Sequence, residues 1–189
     1  MNQSDSSLLQ VEDLHVRFVS RERTVNAVNG VSFSLDRGEV LGVLGESGSG
    51  KSVTLRAIQR LLPPRRTRLQ GSILLDGEDL LQMPERAIAR IRGAKVAMIF
   101  QEPATAFDPV YTIGQQIAET VIHHEGVSAS EARARALELL ELVRIPSARQ
   151  RLDNYPHEMS GGMRQRAMIA LALSCRPSLL LADEPTTAL

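Results

Sequence analysis

The feature that most constrains the fold of this chain is the glycine-rich run at residues 45–52. Its spacing, G-x-x-x-x-G-K-[ST], is typical of a loop whose backbone N–H groups curl around a polyphosphate. The lysine of such a loop reaches the β/γ-phosphates, and the last hydroxyl group binds Mg²⁺. The residues that we expect to contact the phosphates are Gly45, Glu46, Ser47, Gly48, Ser49, Gly50, Lys51 and Ser52.

The sequence on either side of this loop supports that interpretation. The apolar run at 39–44 predicts a short buried parallel strand before the loop. Residues 52–62 predict a helix after it, ended by Pro63 and Pro64, whose N-terminus would direct its positive dipole end at the phosphates. The alternative is a glycine-serine turn that matches by chance, and the predicted strand and helix argue against it. The sequence therefore predicts a site for a nucleoside triphosphate.

The composition disfavours nucleic acid as a partner and favours a reducing compartment. The 22 basic and 22 acidic residues balance to a formal net charge of +0, which disfavours nucleic acid as the main partner because nucleic-acid-binding chains usually carry a basic excess. The single cysteine, Cys175, excludes an internal disulfide and lies in an apolar helical stretch, where packing is its expected role. No apolar run approaches the roughly 20 residues that cross a bilayer, and the polar residues 1–7 lack the build of a signal peptide. We therefore expect a protein that folds in the cytosol and reaches a membrane only through a partner.

Alternation and turn signals predict a β-layer in the first part of the chain. Residues 8–18 and 25–35 alternate loosely between apolar and polar side chains and flank a charged turn, which predicts two antiparallel strands. The further predicted elements are a strand at 69–75 with the tight turn Asp76-Gly77, a helix at 84–91, a buried strand at 95–100 and a strand at 179–182.

Helical patterns with proline breaks fill residues 102–160. Ser128 and Glu131 have the spacing of a capping box, and the helix that they open places its apolar residues on one face. Together the elements predict an α/β fold. Its core, formed by residues 1–101 and 161–189, would carry the antiparallel β-layer, and residues 102–160 would form an inserted helical subdomain.

Two carboxylates, Asp183 and Glu184, follow the strand predicted at 179–182. The C-terminal edge of a buried strand is where an α/β sheet places its ligand. Asp183 could orient Mg²⁺ through its water shell, and Glu184 could act as general base on an attacking water molecule. Taken alone, the pair also fits the start of a solvated loop. Together with the phosphate loop, it predicts a site for phosphoryl chemistry.

A third candidate element, Ser160-Gly161-Gly162, opens a predicted amphipathic helix. A serine hydroxyl and free backbone N–H groups at a helix N-terminus can bind an anion. The same residues also fit a plain helix N-cap, so this segment alone does not decide between the two roles.

The order of these elements resembles the ATP-binding subunit of ATP-binding-cassette (ABC) transporters, which is built on a P-loop NTPase core. The resemblance spans most of the chain. It implies an ATPase that works as a head-to-tail dimer, with each ATP held between the phosphate loop of one subunit and Ser160, Gly161 and Gly162 of the other. It implies that Gln101 contacts Mg²⁺ and the attacking water, and that its loop senses the membrane partner. Phe18 lies where the family offers an aromatic side chain to adenine, although a core phenylalanine fits this position almost equally well.

Finer motifs resemble one branch of that family, the dipeptide and oligopeptide importers, which includes glutathione and nickel importers. These motifs are Phe100-Gln101-Glu102-Pro103, Asp108-Pro109, Ile113-Gly114 and the stretch 155–166. The last signature position, usually Gln in the wider family, is Met163 here, as is common in peptide importers. This departure removes the amide group that a glutamine would offer to the other subunit across the dimer. The branch implies transmembrane permease subunits and a second ATP-binding subunit as partners, an external solute-binding protein as an indirect one, and a place at the cytoplasmic face of the membrane.

The resemblance also predicts that this is a partial chain. The sequence stops at Leu189, five residues after Glu184, before the positions of the family's next aspartate and its switch histidine. We expect these 189 residues alone to be poorly soluble, and inactive as an ATPase even where they bind nucleotide. Two alternatives to the transporter function stay open at this point: a soluble cassette ATPase of DNA repair or translation, and a nucleotide-binding fragment without turnover.

Overall fold

The computed structural model of the protein describes residues 7–185. The chain divides into two compact units, Met1–Ala89 and Arg90–Leu189. The first unit contains the phosphate loop, and the second contains the Ser-Gly-Gly segment and the two candidate carboxylates. The sequence-based division into a core and a helical subdomain at 102–160 stays a prediction.

An antiparallel sheet forms most of the first unit. Its strands within the described residues are β1 (Ser7–Val19), β2 (Thr24–Asp36), β3 (Thr67–Leu75) and β4 (Glu78–Asp79), and their order across the sheet is β2-β1-β3-β4. The predicted strands at 8–18, 25–35 and 69–75 are confirmed. Asp76 and Gly77 both have positive φ angles, of 51° and 81°, as the predicted tight turn requires.

A bulge in β1 explains why the apolar alternation in its sequence is loose. The buried side chains that β1 contributes are Leu8, Leu9, Val11, Leu14 and Val16. The register shifts between Val11 and Leu14, so the apolar residues before and after the bulge fall on the same face despite the odd spacing. Helix α1 (Lys51–Ile58) packs against β1 and β2 and buries Ala57 and Ile58.

Helix α1 ends four residues before its predicted end, at Ile58. Arg60 adopts a left-handed conformation with φ 51°, and its N–H donates to the carbonyl of Ala57 while the N–H of Leu61 donates to that of Arg56. These two hydrogen bonds form a Schellman motif, which satisfies the last helical carbonyls and turns the chain away. The helix stops at this motif rather than at the two prolines.

The strand predicted at 39–44 is wrong for this structure. These residues adopt no regular secondary structure, and Val40 and Leu44 are 94% and 96% exposed. A parallel strand needs a hydrogen-bonding neighbour, and no strand in the described part of the chain pairs with this segment. An apolar segment with open backbone groups therefore lies on the surface, directly before the phosphate loop.

This exposed segment leads to a prediction about self-association. Val40→Lys is expected to reduce concentration-dependent aggregation, because a charge interrupts an apolar segment that can pair with another copy. Size-exclusion chromatography of the 189-residue protein over a range of concentrations measures this. Gln150→Lys, on the exposed surface of the second unit, adds the same charge elsewhere and should leave the elution profile unchanged. A parent protein that elutes as a monomer at every concentration would contradict the prediction.

A short parallel sheet and a group of helices form the second unit. Helix α2 (Glu85–Ile91) runs across the division, followed by β5 (Val96–Ile99), α3 (Ile113–Glu125), α4 (Ala129–Leu142), α5 (Ala148–Arg151), α6 (Gly161–Leu173) and β6 (Leu179–Ala182). Strands β5 and β6 pair in parallel, with Ile99 opposite Ala182, so their C-terminal ends lie together. The capping box of Ser128 and Glu131 at the start of α4 is confirmed.

The core of the second unit lies where α3, α4 and α6 meet β5. Buried apolar residues from these elements include Ala97, Ile117, Leu140 and Met168. Cys175 is half-buried at the end of this region, and desolvation raises the pKa of its thiol. A raised pKa keeps the thiol protonated, in keeping with a packing role.

Candidate active site

The phosphate loop of the first unit is curled around the side chain of its lysine. The ammonium group of Lys51 donates to the carbonyl oxygens of Gly45, at 2.6 Å, and Glu46, at 2.8 Å. The loop thus already has the concave shape that a phosphate group requires. Lys51 lies at its centre as a cation that can exchange these exposed carbonyl contacts for phosphate oxygens.

Gly50 joins the loop to α1 at a position where only glycine fits. Its φ angle is 97°, and a Cβ atom there would lie 2.5 Å from the carbonyl oxygen of Ala27 on β2. Gly50 is the N-cap of α1, where a glycine has no side chain to bind the N–H groups of the first turn. The positive end of the helix dipole therefore points at the loop, where it favours an anionic ligand.

Phe18 lies near the same part of β2. It pairs with Val25 of β2 and with Thr67 of β3, and its side chain is half-buried. Val25 lies two residues before Ala27, whose carbonyl oxygen lies next to Gly50. The sheet therefore places Phe18 in the first unit opposite Val25 and leaves its side chain partly accessible.

Two candidate residues of the second unit make a direct contact. Gln101, just after β5, donates from Nε2 to Oε2 of Glu184, just after β6, at 2.8 Å. The two residues are 83 positions apart in the sequence and meet because parallel strands end at the same edge. Both side chains are exposed, so a water molecule can reach the carboxylate.

The backbone around Glu184 is held in an uncommon conformation. Asp183 is 3% exposed, and its N–H donates to the carbonyl of Ile99, which extends the pairing of β6 with β5. Glu184 then has a φ angle of 47°, in the left-handed region that non-glycine residues rarely adopt. This conformation turns the chain at the strand end, with the Asp183 carboxylate inward and that of Glu184 outward. Such strain is concentrated at functional sites.

The Ser-Gly-Gly segment begins α6 as predicted. Ser160 is the N-cap, and its hydroxyl accepts a hydrogen bond from the N–H of Met163 at 3.3 Å. Ser160 and Gly161 are exposed, and a Cβ atom on Gly161 would contact nothing within 4 Å. The segment is therefore a true helix cap and also an open surface that a ligand can approach.

Sequence reasoning missed one residue of this region, Gln165 on α6. It is fully buried, and its Nε2 donates to the carbonyl oxygen of Pro185, directly after Glu184, at 2.7 Å. A signal was present in the sequence, because Gln165 shares a helical face with the apolar residues Met168 and Ala172. A polar side chain on a buried face needs a partner.

Each unit, taken by itself, contains oxygen donors of the type that Mg²⁺ prefers. Ser52 offers a hydroxyl group in the first unit, and Gln101 and Asp183 offer an amide and a carboxylate in the second. Residues 7–185 contain no cluster of three or more His, Cys, Asp or Glu side chains that could bind a metal by themselves. Mg²⁺ usually takes one or two carboxylates from the protein and the rest of its oxygens from phosphates and water. The small number of protein donors is consistent with that arrangement.

Comparison with protein families gives the class of this protein. The family model described as "ABC transporter" matches residues 28–187, and the chain belongs to that family. The fold agrees: a dimeric structure of the ATP-binding cassette MJ0796 bound to ADP and Pi superimposes with a TM-score of 0.85 at 28% identity, covering 96% of this chain and 75% of that one. The predicted α/β fold, a P-loop NTPase core with an antiparallel β-layer, is thereby confirmed.

Individual relatives narrow the class. The chain is 54% identical over 183 residues to a probable peptide ABC transporter ATP-binding protein, y4tR, of Sinorhizobium fredii. It is 50% identical to the oligopeptide transport ATP-binding protein OppD of Bacillus subtilis and 49% identical to the glutathione import ATP-binding protein GsiA of Escherichia coli O157:H7. These alignments cover 96–97% of this chain but 55%, 51% and 30% of the respective relatives, so the chain spans about half or less of their length. The predicted resemblance to the peptide-importer branch is confirmed.

Proposed function

We propose that the chain is the ATP-binding and ATP-hydrolysing part of an importer for peptides or a similar small solute. The observation that carries the proposal is the hydrogen bond between Gln101 and Glu184 at the ends of the parallel strands. It brings a general base and a water-orienting amide together, as hydrolysis of a phosphoanhydride requires. The names of the relatives, which describe ATP-binding proteins of peptide, oligopeptide and glutathione transport, supply the solute class.

The first unit would hold the nucleotide. The curled loop 45–52 would bind the phosphates through its backbone N–H groups, and Lys51 would move from the carbonyls of Gly45 and Glu46 to the β/γ-phosphates. Phe18 would stack on adenine through the exposed part of its ring. Ser52 would contribute its hydroxyl to the metal ion.

The second unit would supply the groups that act on water. Glu184 would accept a proton from the attacking water, and Gln101 would hold that carboxylate and the water in position. Asp183 and Gln101 would help to hold Mg²⁺, which when bound neutralises charge on the phosphates. Ser160, Gly161 and Gly162 would present the hydroxyl and the first N–H groups of α6 to the ATP of a second subunit.

The partners of this chain follow from the same proposal. The comparison structure is described as a dimeric cassette, which supports a head-to-tail pair of ATP-binding subunits here. None of the helices in residues 7–185 combines the length and apolarity of a bilayer span. The relatives' names, which describe ATP-binding proteins of transport, support permease subunits as the contact with the membrane at its cytoplasmic face, with an external solute-binding protein delivering the cargo.

Phosphate release tests the proposed activity. In membranes that also contain the permease subunits, the protein is expected to release phosphate from ATP when Mg²⁺ is present and to stop when EDTA is added. Nucleotide binding without phosphate release, in the presence of the permease and its solute, would favour a protein that binds nucleotide without turnover. Activity that stays soluble and independent of any membrane fraction would favour a soluble cassette ATPase.

The adenine contact leads to a separate prediction. Phe18→Ala is expected to weaken ATP binding by about 2- to 12-fold, because aromatic stacking contributes on the order of 0.5–1.5 kcal/mol beyond area burial. Inorganic triphosphate, which has no base, should bind the variant and the parent equally well. Calorimetric titration with both ligands measures this difference. Equal losses for ATP and triphosphate would show that Phe18 is a core residue whose removal disturbs the sheet.

A further inference from the structure

Gln165 links the start of α6 to the loop that carries Glu184. It lies on α6 one turn after the Ser-Gly-Gly segment, and its side chain is fully buried. Its Nε2 donates to the carbonyl oxygen of Pro185 at 2.7 Å. The rigid helix and the strand-end loop are therefore joined by one short hydrogen bond inside the second unit.

This bond acts at the residue that follows the candidate base. Proline has no N–H group, so its carbonyl is the only backbone group through which Pro185 can be hydrogen-bonded. Glu184, one position earlier, has the left-handed φ angle of 47°, and its carboxylate accepts the hydrogen bond from Gln101. Glu184 is thus fixed from two sides, by Gln101 at its side chain and by Gln165 through the backbone of Pro185.

The amide of Gln165 is poorly suited to a purely stabilising role. Its Oε1 is buried and has no hydrogen-bond partner within residues 7–185. An unpaired polar atom in the interior is unfavourable, and an apolar side chain of similar length would avoid that cost. A residue that costs stability at a strained strand end is typical of a functional site.

We propose that Gln165 is a positioning residue that holds Glu184 in its catalytic orientation and couples that orientation to α6. This inference rests on the proposed function, because it assigns a role through the hydrolytic base. Ser160, Gly161 and Gly162 begin the same helix, so a shift of α6 when these residues bind the nucleotide of a second subunit would pass through Gln165 to Glu184. Occupancy of one ATP site would in this way adjust the base that serves the other.

The test replaces the amide by an apolar side chain of similar length. Gln165→Met is expected to lower kcat by about 10- to 100-fold, in line with the cost of a small misplacement of a catalytic group, while the KM for ATP stays unchanged. The melting temperature should stay equal or rise, because the unpaired Oε1 is gone. Met168→Leu, a buried apolar change on the same helix, is the matched control and should leave kcat unchanged. A purely structural role predicts the opposite pattern, a lower melting temperature together with a loss of nucleotide binding.

A double-mutant cycle shows whether Gln165 acts through Glu184. In a Glu184→Gln background, Gln165→Met should reduce single-turnover hydrolysis no further, because the base that it positions is already lost. Two outcomes would overturn the positioning role and leave the proposed function standing. One is an equal fold-reduction by Gln165→Met in both backgrounds. The other is a parental kcat for Gln165→Met when Glu184→Gln is inactive. A complete ATP-binding subunit that never hydrolyses ATP even when assembled with its permease subunits would overturn both.

Hydrogen exchange provides a readout that is independent of activity. Gln165→Met should speed the exchange of the backbone amides at 183–184, measured by mass spectrometry, while the exchange of α3 and α4 stays as in the parent. Unchanged exchange at 183–184 would show that the bond to Pro185 does not hold the loop, and would overturn the inference.

Discussion

A Glu184→Gln variant is expected to keep ATP binding and to hydrolyse ATP about 10²- to 10⁴-fold more slowly than the parent, the range that a general base contributes. The amide has nearly the shape of the carboxylate, and its oxygen can still accept the hydrogen bond that Gln101 donates to Glu184. Geometry is therefore kept while the basicity that takes up the proton of water is lost. ATP that is bound but not hydrolysed should trap the dimer with both sites loaded.

Two measurements check this expectation. Phosphate release from the complete transport complex gives the rate, and size-exclusion chromatography of the complete ATP-binding subunit without its permease, in the presence of ATP, shows whether a dimer accumulates. Glu141→Gln, an equal change of charge on the exposed surface of α4, serves as the control and should turn over as the parent does. Turnover near the parental rate, with no trapped dimer, would mean that Glu184 is not the base.

Removal of the loop cation has a comparably large expected effect on binding. Lys51→Ala should weaken ATP binding by about 10- to 100-fold or more, since hydrogen bonds to charged groups contribute roughly 1.5–3 kcal/mol each. The substitution should be harmless to the fold. The contacts of Lys51 in the absence of ligand are to exposed carbonyl oxygens of Gly45 and Glu46, which water can bind in its place.

The chain offers a matched control for this experiment. Lys95 is the only other lysine in the sequence and is exposed just before β5, so Lys95→Ala removes the same charge away from the loop. Calorimetric titration with ATP should show full affinity for Lys95→Ala and weak or undetectable binding for Lys51→Ala. Equal affinities in the two variants would refute the assignment of the phosphate loop.

Local patterns were sufficient to predict most of the secondary structure. The apolar alternation of β1 and β2 and the capping box at Ser128 depend only on residues that are close together in the sequence. The structure contains both strands and the capping box. The segment 39–44 was predicted as a strand from its apolar composition and is not one. A parallel strand forms only with partners that come from elsewhere in the chain, and composition does not say whether those partners are in place.

The candidate site residues show the same difference between features that nearby sequence predicts and features that depend on distant parts of the chain. The family resemblance predicted a role for Gln101 at the attacking water, and Glu184 was predicted as its general base. Their hydrogen bond was not predicted, because no spacing rule connects residues 83 positions apart. Gln165 was missed because a polar residue in a helix usually faces solvent, and its burial depends on how α6 packs. The left-handed Arg60 that ends α1 was missed for a related reason, since glycine is the usual residue at that position.

Because β5 pairs in parallel with β6, the sheet of the second unit can form only after Leu179–Ala182 has been synthesised. The first unit is continuous in sequence, so the ribosome completes its sheet and phosphate loop while the second unit is still being made. β5 emerges next but has no partner until Leu179–Ala182 follows, and closing so long a loop is slow unless the intervening helices fold first. Until then Gln101 lacks the hydrogen bond to Glu184, which is translated 83 residues later. Under the proposed function, the first unit would bind nucleotide before the second unit is complete, and hydrolysis would begin only after Glu184 has been translated.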